Sequence, residues 1–228
     1  MSKGKKILVV ASHPDDEILG CGATIVKLIK CGYEAHVLIL GEGITSRDEK
    51  RDPHERRSEL EGLKRHVHKA NKIIGIKDVI LTDLPDNRFD SLPLLDVVKI
   101  VEKVKKDKKP DIIFTHYQND LNIDHQVTYR AVITAARPIW GETVKEIYSF
   151  EVASSTEWNY PLTFSPDVFF DVSETLDVKL KALKEYKVEM KDARHPRSIA
   201  GVELQAKLWG IKTGAHYAEA FKSVRIMR

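Results

Sequence analysis

The sequence predicts an α/β fold: a Rossmann-like, open, mostly parallel sheet with helices on both faces. Three observations carry this. Short apolar runs alternate along the chain with stretches whose apolar residues are spaced by three and four. Two of the runs end in polar clusters where a strand would turn into a helix, the place where open α/β sheets put their sites. No internal repeat, low-complexity linker or composition break interrupts the 228 residues, so residues 1–228 are read as a single domain.

The elements follow in order. Lys6–Ala11 reads as the first strand, and Ile18–Lys30 as a helix closed by Gly32. Ala35–Leu40 is a second strand, followed by a polar loop over Gly41–Pro53. Leu60, Leu63, Val67, Ala70 and Ile74 mark an amphipathic helix over 54–74. Val79–Leu81 is a short third strand, and Leu84–Asp90 has turn chemistry around Pro85. Leu94, Val97, Val101 and Val104 mark a helix whose lysine-rich end, Lys103–Lys109, suits a C-terminus and reads as a solvated face. Asp111–Thr115 is the fourth strand, Val127–Arg137 the next helix and Ile147–Val152 a fifth strand. The aperiodic 153–170 region reads as loop plus a short strand, Val168–Phe170. Leu176, Leu180 and Leu183 mark a helix; Ile199, Val202 and Leu208 mark another, with Ser198 as its N-cap. Ala220–Ile226 closes the chain as a strand.

Composition narrows the function. An apolar fraction of 42% and a charged fraction of 31% describe an ordinary globular chain. A net charge of +3 is too small to argue for nucleic acid or an anionic membrane as a partner. The apolar run after the basic start is too short for a signal peptide, and no segment approaches membrane-spanning length. Cys21 and Cys31 have neither zinc-knuckle nor redox spacing and read as reduced thiols of a cytoplasmic protein.

The first polar cluster, His13-Pro14-Asp15-Asp16-Glu17, sets a histidine and three carboxylates directly after the first strand. Such close carboxylates repel one another unless a cation or protons neutralise them. The second cluster, His116 to His125, follows the fourth strand. First and fourth strands often flank the switch point of a doubly wound sheet, which would bring both clusters to one crevice. His13, Asp16 and His125 then supply two nitrogens and one carboxylate, a recurrent catalytic zinc set with an open position. The bland alternative, a polar turn with acidic residues capping a helix, accounts for Asp16 or Glu17 but not for the two histidines. A magnesium site suits the aspartates alone; imidazoles favour zinc or another transition metal, and iron(II) or manganese(II) fit the same ligands.

These residues resemble the PIG-L/LmbE family of zinc-dependent de-N-acetylases. The family's His-Pro-Asp-Asp-Glu motif is matched in full by His13–Glu17, and its His-x-Asp-His motif corresponds to Asn122-Ile123-Asp124-His125. Family-like features continue at Arg56-Arg57-Ser58-Glu59, Leu84-Pro85-Asp86, His195-Pro196-Arg197-Ser198 and Ala218-Glu219-Ala220-Phe221. The resemblance implies one zinc on His13, Asp16 and His125, with Asp15 as general base. It implies hydrolysis of the acetamide of an N-acetylated amino sugar or its conjugate, giving acetate and the free amine. Asp124 and Asn122 occupy its second catalytic motif. Glu17 is expected to orient a ligand or hold amides at the helix start.

Where the family often has histidine, this chain has Asn122, which donates a hydrogen bond but no proton at neutral pH. Either Asp15 handles both proton transfers or another group, His116 being the candidate, compensates. Arg56 and Asp86, with the 153–164 loop, are the expected substrate rim; the plainer readings are a surface arginine and a turn residue. His195 and Arg197 precede a helix, where an anion or sugar would bind; a subunit contact is the alternative. The expected partner is therefore a small amino-sugar conjugate, without nucleic acid or membrane, and homo-oligomerisation is left open. The alternatives are a deacylase of another N-acyl amine and a catalytically silent sugar- or metal-binding homologue. A nucleotide-binding α/β protein is disfavoured because no Gly-rich phosphate loop follows the first strand.

Overall fold

The structure is a computed structural model that describes residues 4–187 and 189–227. The described strands are β1 (Lys6–Ala11), β2 (Glu34–Gly41), β3 (Asp78–Leu84), β4 (Ile112–His116), β5 (Glu146–Phe150), β6 (Val168–Asp171) and β7 (Ala218–Ile226). They form one sheet in the order β3-β2-β1-β4-β5-β7-β6. Pairing is parallel from β3 through β5 and antiparallel at β5–β7 and β7–β6. The α-helices are α1 (Asp16–Lys30), α2 (Arg57–Ile74), α3 (Leu94–Lys108), α4 (Ile123–Ala135), α5 (Leu176–Leu183) and α6 (Ile199–Thr213).

The continuous apolar run of β1 is explained by burial on both faces. Ile7, Val9 and Ala11 point into a core shared with α1, α2, α5 and α6. Leu8 and Val10, alternating with them, point into a second core with α3 and α4. Helices therefore cover both sheet faces, as the alternation of elements predicts.

Two helices begin earlier than their apolar spacing indicates. Helix α1 starts at Asp16 and α4 at Ile123, because polar site residues fill their first turns. Asn122 caps α4: its side-chain oxygen accepts the Asp124 N–H at 2.8 Å. Asp124 and His125 thus lie on the helix rather than in the loop before it. Ser198 caps α6 in the same way, through the Gly201 N–H. The antiparallel edge, with β7 inserted between β5 and β6, has no counterpart in the expected run of βα units.

The register places β1 directly beside β4, with β2 on its other side. Strand order reverses there, so the loops after β1 and β4 share one crevice. Gly20 lets α1 approach this point closely: a Cβ there would sit 2.2 Å from the Phe150 ring at the end of β5. Phe150 in turn packs edge-on to His116, with ring centroids 4.9 Å apart.

Candidate metal centre and its cavity

The two strand ends are tied together below the site. The Ser12 N–H, just past β1, donates to His116 Nε2 at the end of β4, 2.8 Å away. Above this tie, Asp16 Oδ2 lies 3.3 Å from His13 Nδ1 and 3.2 Å from His125 Nε2. One ligand atom from each of His13, Asp16 and His125 falls within 4.8 Å of the others. Each imidazole is held by a carboxylate on its far side. His13 Nε2 lies 2.9 Å from Asp124 Oδ2 and 3.4 Å from Asp86 Oδ1. His125 Nδ1 lies 3.1 Å from Asp120 Oδ1. A carboxylate on the outer nitrogen leaves the inner one aimed at the centre, the arrangement that orients metal-binding histidines.

His13, Asp86 and Asp124 form a second grouping of suitable spacing. The two groupings differ in hydrogen bonding. Asp124 accepts the Phe89 N–H at 2.8 Å, and Asp86 accepts both the N–H and the hydroxyl of Ser46. By contrast, Asp16 Oδ1 and His125 Nε2 are buried without a well-aligned hydrogen bond among the described residues, and the close approach of Asp120 to His125 Nδ1 is not a well-aligned one either. Buried polar atoms rarely go unsatisfied, and a divalent ion on His13, Asp16 and His125 would satisfy both. The donor set, two imidazoles and a carboxylate, fits zinc and neighbouring transition metals.

Electrostatics agree. Burial tends to raise the Asp16 carboxyl, but the charge of His125 and the close approach of the His125 and His13 imidazoles to Oδ2 hold it well below the usual carboxylate range. Burial opposes charge on the imidazoles, yet Asp124 and Asp16 push His13 well above its ordinary value, and Asp16 and Asp120 carry His125 up to about 9. Asp120 itself falls to about 2, burial being outweighed by His125 and by the hydroxyls of Ser155 and Thr156. The pocket is built for positive charge beside Asp16, carried by protons or by a metal that replaces them.

Asp15 stands at the N-terminus of α1 in the left-handed region, φ 103° and ψ −27°, a conformation uncommon for any residue but glycine. Glu17 stabilises this turn by accepting the Asp15 N–H at 3.0 Å, the helix-start role expected for it. Asp15 Oδ1 is buried without a hydrogen-bond partner among the described residues, and Oδ2 lies 3.4 Å from Arg197 Nη1. Burial pushes the Asp15 carboxyl well above its ordinary value, against the pull of Arg197. A carboxylate of raised basicity, one oxygen open, is suited to accept a proton.

Asp15, His13, His125, Asp86, Asn122 and Arg197 all line one cavity of about 130 Å³. The expected site residues therefore largely converge. Asn122 donates from Nδ2 to Asn87 Oδ1 at 2.7 Å while its Oδ1 caps α4. Asp124 finds its partner in His13. His195 does not line the cavity; its Nδ1 accepts the Arg197 N–H at 3.1 Å and its ring packs edge-on to Trp158. Arg56 is also outside the cavity lining, engaged by Asp48 at 2.6 Å and Glu59 at 2.7 Å. His116, the candidate proton donor, is overturned. It is fully buried, stacked on His125, and its Nε2 accepts a backbone N–H; burial holds the imidazole well below its ordinary value. Asp120, beside His125 Nδ1, is a site residue that the sequence motifs do not mark. Its position five residues before His125, in the loop between β4 and α4, is the available signal.

The family described as PIG-L, GlcNAc-PI de-N-acetylase, matches residues 8–136, which span β1 through the end of α4 and include both motifs. The chain is 32% identical over 192 residues to the uncharacterized deacetylase YaiS of Escherichia coli K12, covering 82% of this chain and 92% of that protein. It is 26% identical over 232 residues to the diacetylchitobiose deacetylase of Thermococcus kodakarensis, covering 96% and 83%. Among solved structures, 4-carboxy-2-hydroxymuconate hydratase GalB of Pseudomonas putida KT2440 superposes with a TM-score of 0.77 at 23% identity, covering 98% of each chain. That likeness shows the fold alone. The chain belongs to the PIG-L family of de-N-acetylases.

Proposed function

We propose that the chain is a zinc-dependent amidohydrolase that removes the acetyl group from an N-acetylated amino sugar or its conjugate. The observation that supports this most directly is the His13–Asp16–His125 set, half-buried at His13 and buried at the other two, with two unsatisfied ligand atoms, beside a basic and buried Asp15. Deacetylase relatives point the same way. A metal on these ligands would lower the pKa of bound water toward about 7 and polarise the acetamide carbonyl. Asp15, through Oδ1, takes the proton of the attacking water. It is then the proton donor to the departing amine, because Asn122 holds no transferable proton and His116 is sealed below the site. Water and the amide thus yield acetate and a primary amine.

Arg197 holds Asp15 Oδ2 and places a fixed positive charge at the cavity wall, where negative charge develops on the amide oxygen. Asn122, tethered through Asn87, offers its remaining N–H to the same region. Asp86 faces the cavity as a substrate hydroxyl acceptor, and His195 acts by positioning Arg197. Arg56 joins the substrate rim only if it leaves Asp48 and Glu59. Residues 1–228 act as one catalytic domain in this reading. Cys21 and Cys31 are free, in keeping with a cytoplasmic enzyme, and no described helix is long and apolar enough to cross a membrane.

The test is release of acetate and free amine from N-acetylglucosamine, a nucleotide sugar and a chito-oligosaccharide, before and after chelation. Release that disappears with the metal and returns with zinc is the expected result. A chain that binds no transition metal on reconstitution refutes the mechanism.

A further inference from the structure

A second cavity, of about 70 Å³, lies beyond the wall of the first. Leu19 of α1, Val202, Ala206 and Trp209 of α6, and Ala218 and Ala220 of β7 give it a largely apolar lining. Glu151, the residue after β5, also faces it. Trp209 Nε1–H donates to Glu151 Oε1 at 2.5 Å and Gln205 Nε2–H to the same oxygen at 3.1 Å. Oε2 has no partner among the described residues.

The other ionisable groups around this cavity are already engaged. Lys179 Nζ donates to Glu219 Oε1 and to the Leu19 carbonyl, each at 2.6 Å. Glu219 also accepts the N–H groups of Ala23 and Thr24. Glu157 accepts the N–H groups of Ser154 and Ser155. Three carboxyls therefore face one lysine, and that lysine is committed to Glu219. Glu151 is left with an open oxygen, no cation and an aromatic wall. Burial pushes its carboxyl up to about 7, against the hydrogen bonds from Trp209 and Gln205.

We propose that this cavity is a ligand site for a compact primary ammonium ion with a short apolar body. The ammonium pairs with Glu151 Oε2, and the carbons lie against Trp209, Val202 and Leu19. Charge excludes an anion, and one available carboxylate is too few donors for a divalent metal. The wall makes the site relevant to the first cavity. Pro196 faces the second cavity and Arg197 the first. Ala153 lines the second cavity, and its carbonyl lies 3.5 Å from Arg197 Nη2. A primary ammonium is also the group that deacetylation releases; that link rests on the proposed function, whereas the binding does not.

The experiment follows the Trp209 indole N–H resonance in the full-length, metal-loaded protein, assigned through Trp209→Phe. Ethylammonium is titrated, with ethanol and acetate as neutral and anionic controls. A saturable shift with ethylammonium alone, weakened at least about tenfold in Glu151→Gln, is expected. A shift that never saturates, an equal response to ethanol, or undiminished binding by a folded Glu151→Gln overturns the proposal. Should Glu151→Gln fail to fold, the three probes on the wild-type protein decide it. No turnover is measured, so the fate of the deacetylase reading does not affect the outcome.

Discussion

Asp16, buried, and Glu151, half-buried, are carboxyls at the same edge of one sheet, and they are held in opposite states. Asp16 lies among His13, His125 and His116 and is kept ionised. Glu151 lies among apolar side chains, two neutral donors and the Glu157 carboxylate, with Lys179 committed to Glu219, and burial raises it to about 7. The more deeply buried of the two is the one kept ionised, so the neighbouring cation and not depth decides the difference. The centre between β1 and β4 is arranged around positive charge, whereas the cavity beside α6 keeps its proton until a cation arrives.

The comparison breaks most severely if the positive side of the first region is removed. His125→Ala is expected to abolish both bound metal and turnover, which metal analysis and acetate release would show together. Asp124→Asn and Asp120→Asn leave the ligands but loosen their orientation. Each should weaken metal binding roughly 10–100-fold, read by competition with a chelator of known affinity. An unchanged affinity in both would detach these carboxylates from the centre.

The same logic fixes a pH dependence. His13 is raised and His125 reaches about 9, so metal must displace imidazole protons below that pH. Affinity should climb from pH 6 to 8, by roughly tenfold per unit for each proton displaced, with matching proton release in calorimetry. A flat profile would contradict it.

Glu151 gives a smaller effect of opposite sign. Its folded pKa is raised, so its stability contribution is complete below about 4.5, where the unfolded carboxyl also holds its proton, and is lost as pH rises through about 7. Glu151→Gln should therefore match the wild type near pH 4 and exceed it by about 2 kcal/mol at pH 8, allowing for partial solvent contact. Denaturant melts at the two pH values measure this. The smallest change is expected for Arg56→Ala, about threefold or less in KM, because its guanidinium is already engaged by Asp48 and Glu59. A loss of two orders of magnitude would place Arg56 on the substrate.

The sequence was most legible where neighbours in the chain are also neighbours in space. His13, Asp15 and Asp16 lie on one strand-to-helix turn, and the run ending at His125 repeats that pattern after β4, so their convergence follows from strand order. Partnerships across long separations were not legible. Asp124 pairs with His13, 111 residues away, because the cap from Asn122 sets where α4 begins and therefore where residue 124 points. His116 reads as an available proton donor from the sequence alone, but the Ser12 N–H and the His125 ring close around it. The antiparallel β7 and the α6 cavity depend on packing between the last third of the chain and α1, which no local motif encodes.

The most direct test of the central claim compares Asp15→Ala with the wild type for metal content and acetate release in parallel. The account predicts one transition-metal ion per chain in both proteins and turnover lower by on the order of a thousandfold in the variant. Turnover that survives the substitution, or metal lost along with it, would contradict the assignment of Asp15 as the base beside a centre formed by His13, Asp16 and His125.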